Sequence, residues 1–263
     1  KKLNFKIPIK KIKNLKIKNL NKNNLYVYDV EFKQKKAFQK ITSVSNKYIF
    51  KCFQIALNLV KKKQILGIIN CPVSKETLFK NNHQGITDYL SKKENVFGKE
   101  AMLIYNKKLS VCPITTHISL SDVPKKIKSN LIVQKIKTIN NFYKKVLKRS
   151  PKIAVLGLNP HNFTSKKNDE KKIIISAIKK VKKQKIKVNG PMSPDASFMI
   201  LNKKKFDVIL GMYHDQVLTP FKALFQYNAI NITLGLSFIR ISPDHGTASN
   251  IAGKKVANPK SLI

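Results

Sequence analysis

The chain has 263 residues, 42% of them hydrophobic, enough for one large domain or two modest ones with a sizeable core. No apolar run approaches the roughly 18 residues of a membrane-spanning helix, and the opening KKLNFKIPIKKIKNLKIK lacks the continuous apolar stretch of a secretory signal. The formal charge is +40, yet arginine occurs only at Arg149 and Arg240 and the lysines are spread along the whole chain, which points to a coding skew rather than a phosphate-reading surface built on arginine forks.

Residues 1–45 are Lys/Asn-rich with weak alternation, as in LYVYDVEF, and read as short strands and loops. The stretch 46–62 has apolar residues at helical spacing. ILGIINCPV (65–73) reads as a buried strand by its β-branched content, and Ser74 and Glu76 open a helix after it. Thr87 and Asp88 in QGITDYL are placed to cap another helix. Residues 100–116 read as two strands joined at Asn106–Lys108, and 128–150 as an amphipathic helix closed by Pro151. A strand at 152–160 precedes a helix at 168–184, whose acids in the first turn and lysines in the last suit the macrodipole. NGPMSPDAS is turn-rich, FDVILG (206–211) is a buried strand followed by a short helix, and AINITLGL (229–236) is a further strand. Strands alternating with helices imply an α/β protein with a largely parallel sheet. The cysteines, Cys52, Cys71 and Cys112, form no CxxC pair and read as reduced, buried thiols of a cytoplasmic protein.

Four of the five histidines follow strand-like runs: His117 after SVCPITT, His161 after IAVLGLNP, His214 after VILGMY, and His245 in SPDHGTA. The ends of parallel strands converge on one edge of an open sheet, where ligands bind. Neutral imidazoles there suit a divalent metal such as zinc, although no short-range ligand pair of the HExxH type exists. Lys222, Asn231 and Arg240 offer two cations and an amide for a phosphate or carboxylate. HGTASNIAGK (245–254) supplies small residues that let a ligand approach the backbone. The chain has no GxGxxG fingerprint, no GxxxxGK loop and no GxSxG elbow.

Taken in order, NCPVSKETL, GITDYL, TTHISL, GLNPH, NGPMSPD, MYHDQ, NITLGLSFIR and DHGTASNIAGK resemble the 4-hydroxythreonine-4-phosphate dehydrogenase family of pyridoxal phosphate biosynthesis, from about residue 46 to the end. The resemblance implies an isocitrate/isopropylmalate dehydrogenase-like α/β/α fold with two subdomains around a cleft. Residues 1–76 plus 241–263 would form the nucleotide side, and 77–240 the metal, substrate and dimerisation side. It implies a homodimer that uses NAD or NADP and a divalent metal (zinc, magnesium or cobalt) held at the subunit interface by His117, His161 and His214. Thr87, Lys222, Asn231 and Arg240 would bind a small phosphorylated hydroxy acid, with Asp195 and Thr87 catalytic. Asp244, His245, Gly246, Thr247 and Asn250 would lie against the nucleotide.

Three features depart from the family pattern. Ile86 stands where the family's GHTEYL has histidine. NFTSKKND replaces the glycine-rich stretch that follows NPH. The GDPxGIGPE segment and the usual final helix are missing, as in a chain truncated at both ends. The expected reaction is oxidation and decarboxylation of 4-phosphohydroxy-L-threonine to 3-amino-2-oxopropyl phosphate. Ile86 keeps a second reading alive, threonate or erythronate 4-phosphate as substrate. A third reading, a basic non-catalytic remnant that binds nucleic acid, runs against the persistence of all three histidines.

Overall fold

The computed structural model describes residues 7–12, 20–34, 36, 39–80, 83, 85–162, 170–199 and 205–262. Its contacts divide the chain into two compact units, 1–66 and 67–263, before the boundary at 76 that the resemblance suggests. In the first unit, β1 (Ile9–Ile12) pairs in parallel with β2 (Leu25–Tyr28). The helix expected at 46–62 is α1 (Asn46–Lys61), which buries Phe53 and Leu57 on one face. Residues 163–169, which make up most of NFTSKKND, lie outside the described residues.

The second unit is built on an eight-stranded sheet. Its strands are β3 (Gly67–Ile69), β4 (Ala101–Tyr105), β5 (Ser110–Thr115), β6 (Ile153–Leu156), β7 (Val188–Met192), β8 (Val208–Tyr213), β9 (Ile230–Leu234) and β10 (Ile239–Pro243), in the order β3-β10-β9-β4-β5-β8-β6-β7. The half β5-β8-β6-β7 is parallel, as expected, whereas β9 runs antiparallel to both β10 and β4, and β4 antiparallel to β5. The sheet is therefore mixed rather than largely parallel. The short Asn106–Lys108 turn forces one reversal, because a parallel return needs a longer crossover.

Between the strands lie α2 (Lys75–Phe79), α3 (Ile86–Lys93), α4 (Val123–Lys126), α5 (Ser129–Lys145), α6 (Glu170–Lys182), α7 (Pro194–Ser197) and α8 (His214–Phe225). One face of the sheet is covered by α5 through Ile132, Ile136, Ile139 and Tyr143, with α6 contributing Ile174 and Val181. The other face is covered by α8 through Val217 and Phe221. Helices on both faces give the expected α/β/α layering.

Several local expectations need correction. The strand at 65–73 shortens to three residues, and α5 ends at Lys145, short of Pro151. The helix after β8 is not short: α8 has 12 residues and accommodates Pro220. The stretch NGPM is strand β7, and FIRISP supplies β10, which alternation with buried polar residues disguises. Thr87 and Asp88 do not cap α3, whose N-cap is Gly85; both sit in its first turn. Ser74 does cap α2, accepting from the Thr77 backbone N–H. Of the cysteines only Cys112 is buried; Cys71 is exposed and Cys52 half-buried.

Candidate active-site cleft

The parallel strands β5, β6 and β8 carry His117, His161 and His214 just past their C-terminal ends, on one edge of the sheet. His214 opens α8, so its position depends on how closely α8 seats on β8. Gly211 permits that seating: a Cβ there would stand 2.4 Å from Val217 Cγ1. Gln216 locks it. Its Oε1 accepts from the Met212 backbone N–H at 2.7 Å, and its Nε2 donates to the Gly157 carbonyl at 2.8 Å, which joins the β8–α8 junction to the loop that leads to His161. Replacing Gln216 by Leu would leave these buried backbone groups unpaired. We expect a loss of about 2–3 kcal/mol in urea unfolding; a change below about 0.5 kcal/mol, ordinary for a surface position, would dismiss the staple.

The cleft has a volume of about 310 Å³, within the range of small-ligand sites. Its wall includes Lys75, Ile86, Thr87, His117, His214, Asn231, Arg240, Asp244, His245 and Gly246. The His117 and His214 rings lie 5.6 Å apart between centroids. His214 Nδ1 meets Asp215 Oδ1 at 2.6 Å, and Lys75 Nζ donates to His117 Nε2 at 3.2 Å. Both His117 and His161 hold φ near +50°, a left-handed backbone uncommon outside glycine that clusters at functional sites.

Burial first, then the charges of Lys75 and His214, push His117 down to about 4, so its ring is neutral at physiological pH. The folded value lies below the free value of about 6.5, so the unfolded chain takes up its proton first. The contribution of His117 to stability is complete above pH 6.5 and is lost as pH falls toward 4. Much of the residue faces solvent, so the loss is smaller than the shift alone implies. An NMR titration of the metal-free protein should place the His117 midpoint well below 6; a midpoint near 6.5 would refute the depressed value.

Arg240 rises from β10 into the cleft and is 4% exposed. Its guanidinium donates to Asn70 Oδ1 at 2.8 Å, Thr233 Oγ1 at 3.0 Å and Thr87 Oγ1 at 3.4 Å. No carboxylate among the described residues pairs with it, and burial lowers it to about 10, which leaves it charged. Asn231 Oδ1 is buried with no partner, as is Oε2 of Glu100, another residue of the wall.

Other candidates lie elsewhere. Lys222 is not part of the wall; its Nζ donates to the Asp244 carbonyl at 2.8 Å and meets Asp244 Oδ2 at 2.5 Å. Asp244 borders the cleft with its carboxylate turned inward, fully buried. Thr247 and Asn250 are exposed and outside the wall. His161 faces Asp195 at 3.4 Å, both largely exposed and neither part of the cleft wall. The Ser193 hydroxyl, first of several contacts, holds Asp195 below the usual carboxylate range. Among the described residues, no three His, Cys, Asp or Glu side chains stand close enough to share a metal.

Sequence reasoning passed over Lys75, Glu100 and Gln216. Glu100 had a usable signal, since the chain has only 13 acids. Lys75 had none among so many lysines.

Residues 1–263 match the family described as pyridoxal phosphate biosynthetic protein PdxA. A 4-hydroxythreonine-4-phosphate dehydrogenase of Sulfurihydrogenibium sp. (strain YO3AOP1) is 42% identical over 246 residues, 91% of this chain and 73% of that one. A putative D-threonate 4-phosphate dehydrogenase of Oceanobacillus iheyensis is 34% identical over 232 residues, 86% of this chain and 70% of that one. The crystal structure of 4-hydroxythreonine-4-phosphate dehydrogenase from Klebsiella pneumoniae matches with a TM-score of 0.81 and 30% identity, over 97% of this chain and 80% of that one. The chain spans between 59% and 73% of the length of such curated relatives. By its profile, its motifs and its fold, the chain belongs to the PdxA family of pyridoxal phosphate biosynthetic proteins.

Proposed function

We propose that this protein is a nicotinamide-dependent, metal-assisted dehydrogenase. It oxidises the 3-hydroxyl of 4-phosphohydroxy-L-threonine and releases carbon dioxide, giving 3-amino-2-oxopropyl phosphate. The observation that carries this reading is the convergence of His117, His214, Thr87, Asn231 and Arg240 on one cleft.

The donor set suits a borderline divalent ion such as zinc: two adjacent imidazoles, one held neutral by its surroundings. Among the described residues one chain brings only this pair together, so the third ligand would be His161 from a second copy, in a homodimer. Bound there, the cation would lower the pKa of the substrate hydroxyl and stabilise negative charge on its oxygen. Asp215 fixes the ring orientation of His214 through Nδ1, as outer partners of metal ligands do. Asp195, kept ionised and paired with His161, would arrive at the site with that histidine and accept the hydroxyl proton.

Arg240, Asn231 and Thr87 hold the phosphate end. Arg240 spends its inner donors on Asn70 and Thr233 and keeps others for an oxyanion. The Lys222–Asp244 pair braces the turn at 244–246, beside which the nicotinamide nucleotide, NAD or NADP, would lie. Gly246 has open space where a Cβ would stand, leaving room for close approach.

The second substrate reading stays open on one residue. Ile86 is 6% exposed and gives the cleft an apolar wall where the family pattern has histidine. Purified, zinc-loaded protein assayed with NAD and NADP should reduce the cofactor with 4-phosphohydroxy-L-threonine. Reduction with D-threonate 4-phosphate alone would move the assignment to that acid, and reduction with neither would end it.

A further inference from the structure

Among the described residues, two lysine or arginine side chains reach the wall of the cleft, Arg240 and Lys75. The substrate of the reaction proposed above carries two anionic groups, a phosphate at one end and a carboxylate at the other. Arg240 lies among Asn70, Thr87 and Thr233. Lys75 lies at the histidine end, with Nζ 3.2 Å from His117 Nε2. The lysine comes from the first residue of α2, whose N-terminus is fixed by the Ser74 cap, and its stem runs past Gly85, where a Cβ would approach Lys75 Cε to 3.3 Å. No carboxylate among the described residues pairs with its ammonium.

We infer that Lys75 is the residue that binds the substrate carboxylate, opposite the phosphate held by Arg240. Three features support this, given the reaction above. In the substrate the carboxylate and the phosphate arm are separated by the two carbons that carry the amine and the hydroxyl, which a metal on His117 and His214 would bind, so the carboxylate would fall at the histidine end. A compact ammonium with three rotatable donors can hold a carboxylate and release it once the group leaves as neutral carbon dioxide. Among the described residues, Lys222 lies outside the wall and turns to Asp244, which leaves Lys75 as the wall cation other than Arg240. Lys75 thus makes the cleft select acids over their decarboxylated counterparts.

The test is a two-by-two binding cycle on the zinc-loaded protein by calorimetry. Its ligands are 4-phosphohydroxy-L-threonine and 3-amino-2-hydroxypropyl phosphate, which keeps the amine, hydroxyl and phosphate but lacks the carboxylate. Lys75→Met should weaken binding of the acid about 10- to 100-fold, the scale of one charge-assisted hydrogen bond, and leave the other ligand within about twofold. In turnover the loss should fall on KM more than on kcat, and Lys75→Arg should restore part of it. Equal weakening of both ligands would make Lys75 a phosphate contact or a structural residue, and no weakening of either would remove it from the site; both outcomes overturn the proposal. A wild-type protein that turns over the acid while Lys75→Met binds it unchanged overturns the lysine's role alone. A wild type that binds neither ligand overturns the reaction as well.

Discussion

His214→Ala should abolish cofactor reduction, by at least about 10³-fold, while leaving the unfolding transition nearly where it was. The two halves of this expectation have separate causes. The imidazole belongs to the cleft: it faces His117 and Asp215 and contributes to neither hydrophobic cluster. The junction it stands on is secured by its neighbours instead, by Val217 against Gly211 and by Gln216 across to Gly157. Truncation would therefore remove the proposed metal ligand without opening a core cavity, and the stability change should stay within about 0.5 kcal/mol. Zinc content of the purified protein gives a readout independent of turnover, and it should fall with the activity. Retained zinc and activity would refute the metal role, and collapse of the fold would make His214 a structural residue.

How legible this site is in the sequence depends on what each residue's signal competes with. Strands β5, β6 and β8 are continuous apolar runs because helices cover both of their faces, and such runs stand out in a lysine-rich chain. Their ends locate His117, His161 and His214 on one sheet edge without further information. Strand β10 is concealed by its own function: Arg240 and Ser242 are buried polar residues at alternate positions, which breaks the apolar pattern where the cleft needs donors. The reversals at β4 and β9 are hidden for another reason, since the order of strands in a sheet is a property of distant pairings, not of local periodicity. Gln216 reads as one polar residue closing the MYHDQ motif; besides Met212, its partners are 58 and 59 positions away. His161 and Asp195 pair with each other outside the cleft wall, a placement set by the course of the chain after β6 and not by any local pattern.

Arg240→Met should cost substrate affinity and little or no stability. A buried guanidinium with no carboxylate beside it is an expensive group to fold around, and its desolvation shows in the fall toward 10. Its three neutral acceptors offset part of that cost. Methionine fills similar volume without the charge, and the threonine hydroxyls can turn to each other, since Thr87 Oγ1 and Thr233 Oγ1 already stand 3.3 Å apart. Unfolding of the ligand-free variant should therefore stay within about 1 kcal/mol of wild type, and stabilisation is the more informative sign. In the proposed reaction the substrate phosphate is the anion that would offset the buried charge. Affinity for the phosphorylated acid should fall about 100-fold or more, the penalty for losing one partner of a desolvated ion pair. Arg240→Lys should lie between the two, keeping the charge without the planar fork. Added inorganic phosphate should raise the wild-type melting temperature by mass action and leave that of Arg240→Met unmoved. A variant that loses several kcal/mol in the absence of ligand would show instead that Arg240 holds β10 in the sheet. A variant still stabilised by phosphate would show that the anion binds elsewhere in the cleft.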